Sequence, residues 1–553
     1  MSKYGTFPHV EFSQRTWPSK VIDKAPVWCS VDLRDGNQAL VDPMTSEQKL
    51  HFFRSLTDIG FREIEISFPS ASKADYDFTR TLIEEGHIPG GVSIQVLTQA
   101  REHLIEKTLK AVDGASRTIL HMYNSTSPAQ REIVFRKSAV EVISLAVDGV
   151  KMIRDRMSKV NGEIVLQYSP ESFSQTEVSF ACDICSAVME AWAPGENEKV
   201  IINLPSTVEV ASPHIFADQV EYMNKHVAMR EHVILGVHTH NDRGCAVAAA
   251  EMAQLAGAER VEGTLFGNGE RTGNADLVTL ALNCQSQGVD PGLDFRDLQK
   301  VQKAYTEYVG MDIAPRHPYA GELVFTAFSG SHQDAISKGL AHYRKHKGEW
   351  NVPYLPIDPT DIGRSYEAVI RINSQSGKGG AAYIMEHFHG YTIPREMHPE
   401  FGMAVQKMAD EKGRELQNPE VFHCFEKEYL NVKGRYDFEE LQVKTDENGD
   451  ESDHRHLSVG VGLKMSGKQF RIEGKGNGVI DALVRGLGSF GTYVKVVGYS
   501  EHSLGEGSQA RAASYIQLED RDGNRRFGAG VDTDIACSSV KALFSALNRL
   551  TAE

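Results

Sequence analysis

The chain has 553 residues, 41% hydrophobic and 24% charged, and 59 Lys and Arg against 75 Asp and Glu give a net charge of −16. That length exceeds a single core and predicts two or three domains of an ordinary soluble protein. The acidic balance argues against nucleic acid or an anionic membrane as the main partner, and the 7 scattered Cys fit reduced thiols better than a disulfide framework.

Residues 1–20 are polar, and no run is long enough to span a bilayer, so a cytoplasmic protein is expected. From Val27 onward, short apolar strands alternate with amphipathic helical stretches. The strands are expected at 27–33, 63–68, 93–98, 117–123, 163–168, 199–204, 232–238 and 260–266. Helices are expected after them, for example at 46–59, 76–85, 134–157, 246–256 and 275–285. Cys182 and Cys185 fall inside an apolar helix at 178–192 and read as core packing rather than a redox or zinc pair. Eight βα units over roughly 250 residues match a (β/α)8 TIM barrel, placed here at 1–315. A doubly wound sheet is the rival fold. Its glycine-rich first turn is missing, because Leu33-Arg34-Asp35-Gly36-Asn37 is not G-x-G-x-x-G.

The barrel rhythm stops near Gly288, and a mostly helical linker is expected over 316–433. A further helix is placed at 298–309, and the linker's own helices at 322–328, 332–345 and 379–389, with one continuous stretch at 399–430. Ser376-Gly377-Lys378-Gly379-Gly380 lacks the spacing of a phosphate loop. The acidic run 446–453 reads as a solvated turn. The remainder, 434–553, shows two similar halves of strands, a Gly-containing turn and a helix, which predicts an α+β regulatory or dimerising domain. The turns are placed at Gly474–Gly478 and at Gly528-Ala529-Gly530.

The polar residues of the barrel half fall at strand ends: Arg34-Asp35, His121, Ser169-Pro170-Glu171, Pro205-Ser206-Thr207, His238-Thr239-His240 and 267–274. In a barrel those ends converge on one mouth, where active sites are built. Alternation along a strand points His238 and His240 the same way. Together with Asp35, and with Asn274 adding an amide oxygen, they form a mixed O/N donor set for a divalent ion such as Mg²⁺, Mn²⁺ or Zn²⁺, among which geometry decides. With open positions, such an ion acts as a Lewis acid on a chelated 2-oxo acid. Arg34 is placed to stabilise negative charge developing on oxygen. Thr207 is placed to bond a substrate carboxylate, and Glu171 and His121 are candidates for moving or positioning a proton.

Val31-Asp32-Leu33-Arg34-Asp35-Gly36-Asn37-Gln38, His238-Thr239-His240-Asn241-Asp242 and Gly267-Asn268-Gly269-Glu270-Arg271-Thr272-Gly273-Asn274 together resemble the 2-isopropylmalate synthase family in its longer bacterial form. The resemblance runs over nearly the whole chain. The wider group of metal-dependent barrel enzymes often has Glu where this chain has Asn37, and the long synthases tolerate Asn there. The resemblance implies a Claisen-type condensation of acetyl-CoA with 3-methyl-2-oxobutanoate, followed by thioester hydrolysis to 2-isopropylmalate and CoA, on the route to leucine. It implies metal ligands at Asp35, His238, His240 and Asn274, electrostatic catalysis by Arg34 and acid/base work by Glu171. It places Leu97, His121, Tyr123, Ser169, Asn203, Pro205 and Thr207 in the oxo-acid pocket. It also implies a homodimer with shared sites, in which His332 and Tyr366 complete the neighbour's site. Leucine is implied as an allosteric inhibitor, with Gly505, Gly507, Gly528 and Gly530 near its pocket. The alternatives are a homocitrate or citramalate synthase, a lyase running the reverse cleavage, and a non-catalytic amino-acid sensor on the same scaffold. Leu97 and Pro205 suit a branched aliphatic tail, whereas a dicarboxylic substrate would want an extra cation.

Overall fold

The computed structural model describes residues 10, 12, 14–327, 329–366, 379–414, 416–445, 457–465, 467–505, 507 and 509–551. The acidic run 446–453 and Ser376 to Lys378 lie outside the described residues. Contacts divide the chain into two units: Met1–Phe325 with Ile357–Tyr366, and Thr326–Pro356 with Glu367–Glu553.

The first unit is built on a closed barrel of eight strands: β1 (Val27–Ser30), β2 (Glu63–Ser67), β3 (Ser93–Gln99), β4 (Arg117–Ser125), β5 (Glu163–Glu171), β6 (Val200–Ser206), β7 (Val233–Thr239) and β8 (Arg260–Gly263). Every neighbouring pair is parallel, and β1 closes on β8. The helices are α1 (Ser46–Ile59), α2 (Lys73–Glu84), α3 (Glu102–Val112), α4 (Ala139–Met157), α5 (Val178–Trp192), α6 (Pro213–His226), α7 (Ala246–Leu255) and α8 (Leu277–Ser286), with α9 (Leu298–Val309) added at the end. Thr45 with Gln48 and Ser138 with Glu141 form capping boxes that start α1 and α4, each cap contributing about 1 kcal/mol.

The barrel interior is layered. Ile119, Val165, Ile201 and Ile234 form an apolar cluster. Two residues further along the same faces stand His121, Gln167 and Asn203, followed by Tyr123, Ser169, Pro205 and His238. On β7 the step between Ile234 and His238 is Gly236, where an added Cβ would lie 2.9 Å from the Asn203 amide oxygen.

The strand ends differ from expectation in a way that shapes the mouth. β1 stops at Ser30, and Asp32–Gly36 forms one wide π-helical turn carrying Arg34 and Asp35. β8 stops at Gly263, short of 266. β5 runs on to Glu171, so Ser169 and Glu171 stand on the strand rather than after it. α4 begins at Ala139, because Arg136 takes a left-handed conformation after a separate turn at Gln130–Phe135.

The second unit begins with α10 (Gly330–His346), α11 (Gly379–His389), α12 (His398–Lys412) and α13 (Asn418–Glu428). The expected single helix over 399–430 is two, because Gly413 caps α12 in the left-handed region. Among the described residues of the helix expected at 322–328, turns occupy 322–325 of the first unit and no helix forms.

Two βββα repeats follow: β9 (Asp437–Thr445), β10 (Leu457–Met465), β11 (Lys468–Gly476), α14 (Val479–Ser489), then β12 (Lys495–Leu504), β13 (Arg511–Glu519), β14 (Arg525–Asp532), α15 (Ile535–Thr551). Each sheet is antiparallel with its second strand in the middle. One apolar core, including Val461, Ile472, Leu483, Ile516, Leu543 and Leu547, draws on both repeats.

Gly528 and Gly530 lie on β14, not in a turn. A Cβ on Gly528 would sit 2.2 Å from the Ala546 nitrogen, and one on Gly530 2.1 Å from the Ser538 oxygen. These glycines let α15 cross the sheet at close range. Gly474 and Gly476 do the same for α14, with a Cβ 1.9 Å and 2.5 Å from Ala482 backbone atoms. No helix among the described residues is long and apolar enough to cross a membrane.

Candidate active site

Asp35, His238 and His240 meet at the C-terminal mouth, each offering a ligand atom within 4.8 Å of the others. The Nε2 atoms of His238 and His240 lie 3.6 Å and 3.8 Å from the Asp35 carboxylate. These gaps exceed hydrogen bonds and leave room for a cation between the donors. The other ring nitrogen of His238 donates to Glu262 at 2.8 Å, which aims Nε2 into the cluster. Asn274 reaches the same place: its amide nitrogen donates to Asp35 at 2.8 Å, and its amide oxygen is buried without a hydrogen-bond partner.

The electrostatics also fit a divalent cation. Four buried carboxylates, Asp35, Glu63, Glu65 and Glu262, face two guanidiniums, half-buried Arg34 and buried Arg260. Burial alone would raise the Asp35 carboxyl, but Arg34 and His238 hold it well below the usual range. Burial opposes charge on His238, yet the nearby carboxylates of Asp35 and Glu262 push it up to about 10. Burial and the neighbouring His238 charge lower His240 to about 4. The cluster therefore draws in positive charge, and one carboxylate, two imidazoles and an amide are a suitable donor set for Mg²⁺, Mn²⁺ or Zn²⁺.

Arg34 is held on two sides. Its Nη1 donates to Asp35 at 2.7 Å and its Nε to Glu65 at 2.5 Å. Glu65, fully buried on β2, also accepts from Gln95 at 3.0 Å and meets His121 Nδ1 at 2.9 Å. The second His121 nitrogen lies 2.7 Å from the Ser169 hydroxyl. Glu262 accepts from Gln95, Gln167, Asn203 and Arg260 at 3.0, 2.7, 3.1 and 2.7 Å. Sequence reasoning missed Glu65 and Glu262. The available signal was the alternation Glu63-Ile64-Glu65-Ile66-Ser67, which sets the two carboxylates on one face of β2.

A cavity of about 870 Å³ opens beside the cluster, and all seven residues expected of the oxo-acid pocket line it, together with Arg34, Glu171, Asp35, His238 and His240. The Thr207 hydroxyl accepts from the Ser172 backbone at 2.9 Å, which leaves its own proton for an acceptor in the cavity. Glu171 accepts from the Ser125 hydroxyl. Gln99 donates to the Tyr123 hydroxyl at 3.0 Å. Asn37 has a structural task here, its side-chain oxygen accepting from the Met44 backbone at 2.7 Å. The cavity continues away from the cluster along Met44, Lys49, Phe68, Ala71, Ala74 and Phe78. Tyr366, of the same unit, does not line it. His332 is exposed on α10 with its ring stacked on Tyr354 at 4.1 Å, and Tyr366 ends the Ile357–Tyr366 segment.

The second unit has its own cavity of about 670 Å³ between the first turns of α14 and α15 and strand β12. Its wall is apolar at Val479, Ile480, Val484, Val494, Val496 and Ile535, and charged at Asp481, Lys495 and Glu501. Gly505, Gly507, Gly528 and Gly530 are not part of that wall. The first two sit just after β12 at positive φ, and the others pack against α15. Cys182 and Cys185 are free and buried on α5.

A closed parallel barrel with an Asp, two His and a paired Arg at its mouth fits the class of barrel enzymes built around a divalent-cation site. The HMGL-like family matches residues 25–304, the alpha-isopropylmalate synthase post-catalytic domain-like family 322–386, and the LeuA allosteric (dimerisation) domain 415–551. Among curated relatives, the 2-isopropylmalate synthase of Clostridium acetobutylicum is 50% identical over 553 residues, covering 99% of each chain. That of Pseudomonas putida is 51% identical over 550 residues, covering 99% of this chain and 97% of its own. That of Agrobacterium fabrum is 50% identical over 554 residues, covering 100% and 98%. Among solved structures, a hydroxymethylglutaryl-CoA lyase from Pseudomonas aeruginosa is 17% identical with a TM-score of 0.43, covering 52% of this chain and 95% of its own. The chain belongs to the 2-isopropylmalate synthase family, whose members are acyl-transferring condensing enzymes.

Proposed function

We propose that this chain condenses acetyl-CoA with 3-methyl-2-oxobutanoate and hydrolyses the resulting thioester, releasing 2-isopropylmalate and CoA. The observation that carries this reading is the meeting of Asp35, His238, His240 and Arg34 at one end of a cavity lined by every expected oxo-acid residue.

A divalent cation held by Asp35, His238 and His240, with Asn274 beside them, supplies Lewis acidity toward the keto group. The chain's own residues do the rest. Thr207 donates to the oxo-acid carboxylate, and Leu97 and Pro205 face its branched tail. Arg34, fixed by Asp35 and Glu65, stabilises the negative charge that develops on oxygen. Glu171 and the His121–Ser169 pair hold or move protons at the reacting oxygens. The methyl carbon of acetyl-CoA loses a proton and bonds to the keto carbon, and water then cleaves the thioester. The cavity far exceeds a short oxo acid, and its arm between α1 and α2 suits the pantetheine chain of the thioester.

The chain acts as a homodimer, in which His332 and Tyr366 complete the partner's site. Leucine binds in the cavity between α14, β12 and α15, where Glu501 or Asp481 suits its ammonium, Lys495 its carboxylate and the valines its side chain. It lowers turnover by biasing the barrel's conformations.

The test is thiol release by the purified chain over a panel of 2-oxo acids. The rate is fastest with 3-methyl-2-oxobutanoate. A clear preference for 2-oxoglutarate, or carbon–carbon cleavage of a hydroxyacyl-CoA in its place, overturns the assignment.

A further inference from the structure

We propose that His317 and Arg364 are positioning residues that hold the loop carrying Asn274 in its cation-binding shape. The proposal rests on the metal reading above. All the residues concerned belong to the first unit.

The loop runs from Phe266 to Asp276, and one imidazole grips both ends. His317 meets the Asp276 carboxylate at 3.2 Å through Nε2, and its Nδ1 meets the Pro318 carbonyl at 3.0 Å. Two oxygen acceptors on two ring nitrogens call for a doubly protonated, cationic ring. The same ring packs edge-on against Phe266, with centroids 5.6 Å apart. Tyr305 of α9 closes on Phe266 from another side at 4.9 Å. Phe266 needs this support, because its φ of 57° is a left-handed conformation that costs a non-Gly residue roughly 1–3 kcal/mol.

Asp276 is equally fixed. It accepts from Val278 N at 3.0 Å and from the Thr279 hydroxyl, and its backbone bridges to Thr264. Between the anchors the loop folds back on itself, Asn274 N donating to Gly267 O at 3.1 Å. The Asn274 side chain then reaches Asp35. Movement at either anchor therefore moves Asn274 relative to Asp35.

Arg364 secures His317 from behind. One of its nitrogens donates to the carbonyls of Tyr319, Ala320 and Gly321 at 3.0, 3.0 and 2.8 Å, and Gly321 N donates to His317 O at 2.9 Å. This explains why Ile357–Tyr366 belongs with the barrel although its flanking residues do not. Gly363, next to Arg364, lies so close to the α9 entry that a Cβ would sit 2.6 Å from Arg296 O.

The experiment is Mn²⁺ binding to the full chain, followed by titration calorimetry and by the Mn²⁺ electron paramagnetic resonance spectrum. His317→Leu, His317→Gln and Arg364→Met are compared with wild type well below their unfolding temperatures. His317→Leu weakens Mn²⁺ at least about tenfold, in line with other supports of metal ligands. Arg364→Met weakens it in the same direction and alters the spectrum. His317→Gln, which can still bond Asp276, recovers much of the affinity. A merely structural role would lower thermal stability and leave Mn²⁺ affinity alone. Folded His317→Leu or Arg364→Met chains that bind Mn²⁺ within twofold of wild type would overturn the proposal. A wild-type chain without Mn²⁺ affinity would overturn the metal reading first, and this with it.

Discussion

Glu65 accepts the Nε proton of Arg34 at 2.5 Å while Asp35 takes the Nη1 proton at 2.7 Å, so the guanidinium is clamped between two carboxylates. Glu65 also meets His121, which places one buried carboxylate under both the electrostatic catalyst and the proton-handling pair. Replacing it by Gln keeps the shape and removes the charge. Steady-state kinetics of Glu65→Gln are expected to show kcat lowered at least about tenfold, with KM for the oxo acid little changed. Arg34→Ala is expected to lose about 10²–10³ in kcat, as loss of a preorganised charge donor does. A Glu65→Gln variant with wild-type kcat would remove Glu65 from the account.

Burial pushes the Asp32 carboxyl up to about 7, against an ordinary value of 3.8. From pH 4 to 7 the folded chain therefore keeps a proton that the unfolded chain has released. Stability contributed by that proton is present at low pH and is lost as pH rises through this window, about 4 kcal/mol at most. Asp32→Asn lacks the titrating group. In urea denaturation at pH 4.5 and 7.5, the variant is expected to gain on wild type as pH rises. Parallel stability profiles for the two proteins would show that Asp32 stays ionised in the fold.

Val484 lines the cavity between α14 and β12, on the wall assigned to the leucine side chain. Val484→Trp fills that space. Turnover without leucine is expected to stay within about twofold of wild type, while the leucine concentration for half inhibition rises at least about tenfold. Unchanged inhibition would move the effector site elsewhere.

His332 belongs to the second unit, and Tyr366, of the first, does not line that unit's cavity. If they serve the partner, an inactive Arg34→Ala chain and an inactive His332→Ala chain contain complementary good halves. Mixing them under subunit exchange is expected to restore up to about a quarter of wild-type activity, one competent site in four on random pairing. Verified exchange without recovery would argue that each chain works alone.

Much of the barrel site was legible from residue order alone. Period-two alternation put His238 and His240 on one face, and the breaks in apolar runs marked the strand ends that carry Arg34, Asp35 and Thr207. The same alternation could not tell which face of β2 points inward, so Glu63 and Glu65 read as ordinary strand carboxylates. Pairing of β2 with β1 puts Glu65 beneath Arg34, and pairing of β8 with β7 puts Glu262 beside His238. Gly528 and Gly530 read as a turn for a related reason. A glycine that makes a turn and a glycine that admits a crossing helix look alike until α14 and α15 are packed on their strands. The cavity proposed for the effector lies at two helix starts, and the apolar residues that line it read in sequence as ordinary amphipathic pattern.

The most direct measurement is thiol release from acetyl-CoA with 3-methyl-2-oxobutanoate, after stripping divalent ions and after restoring Mg²⁺, in wild type and Asp35→Asn. The account predicts that stripping abolishes the rate, that Mg²⁺ restores it in wild type, and that Asp35→Asn stays inactive with the metal present. Full activity in the stripped enzyme, or restoration of Asp35→Asn to the wild-type rate, would contradict it.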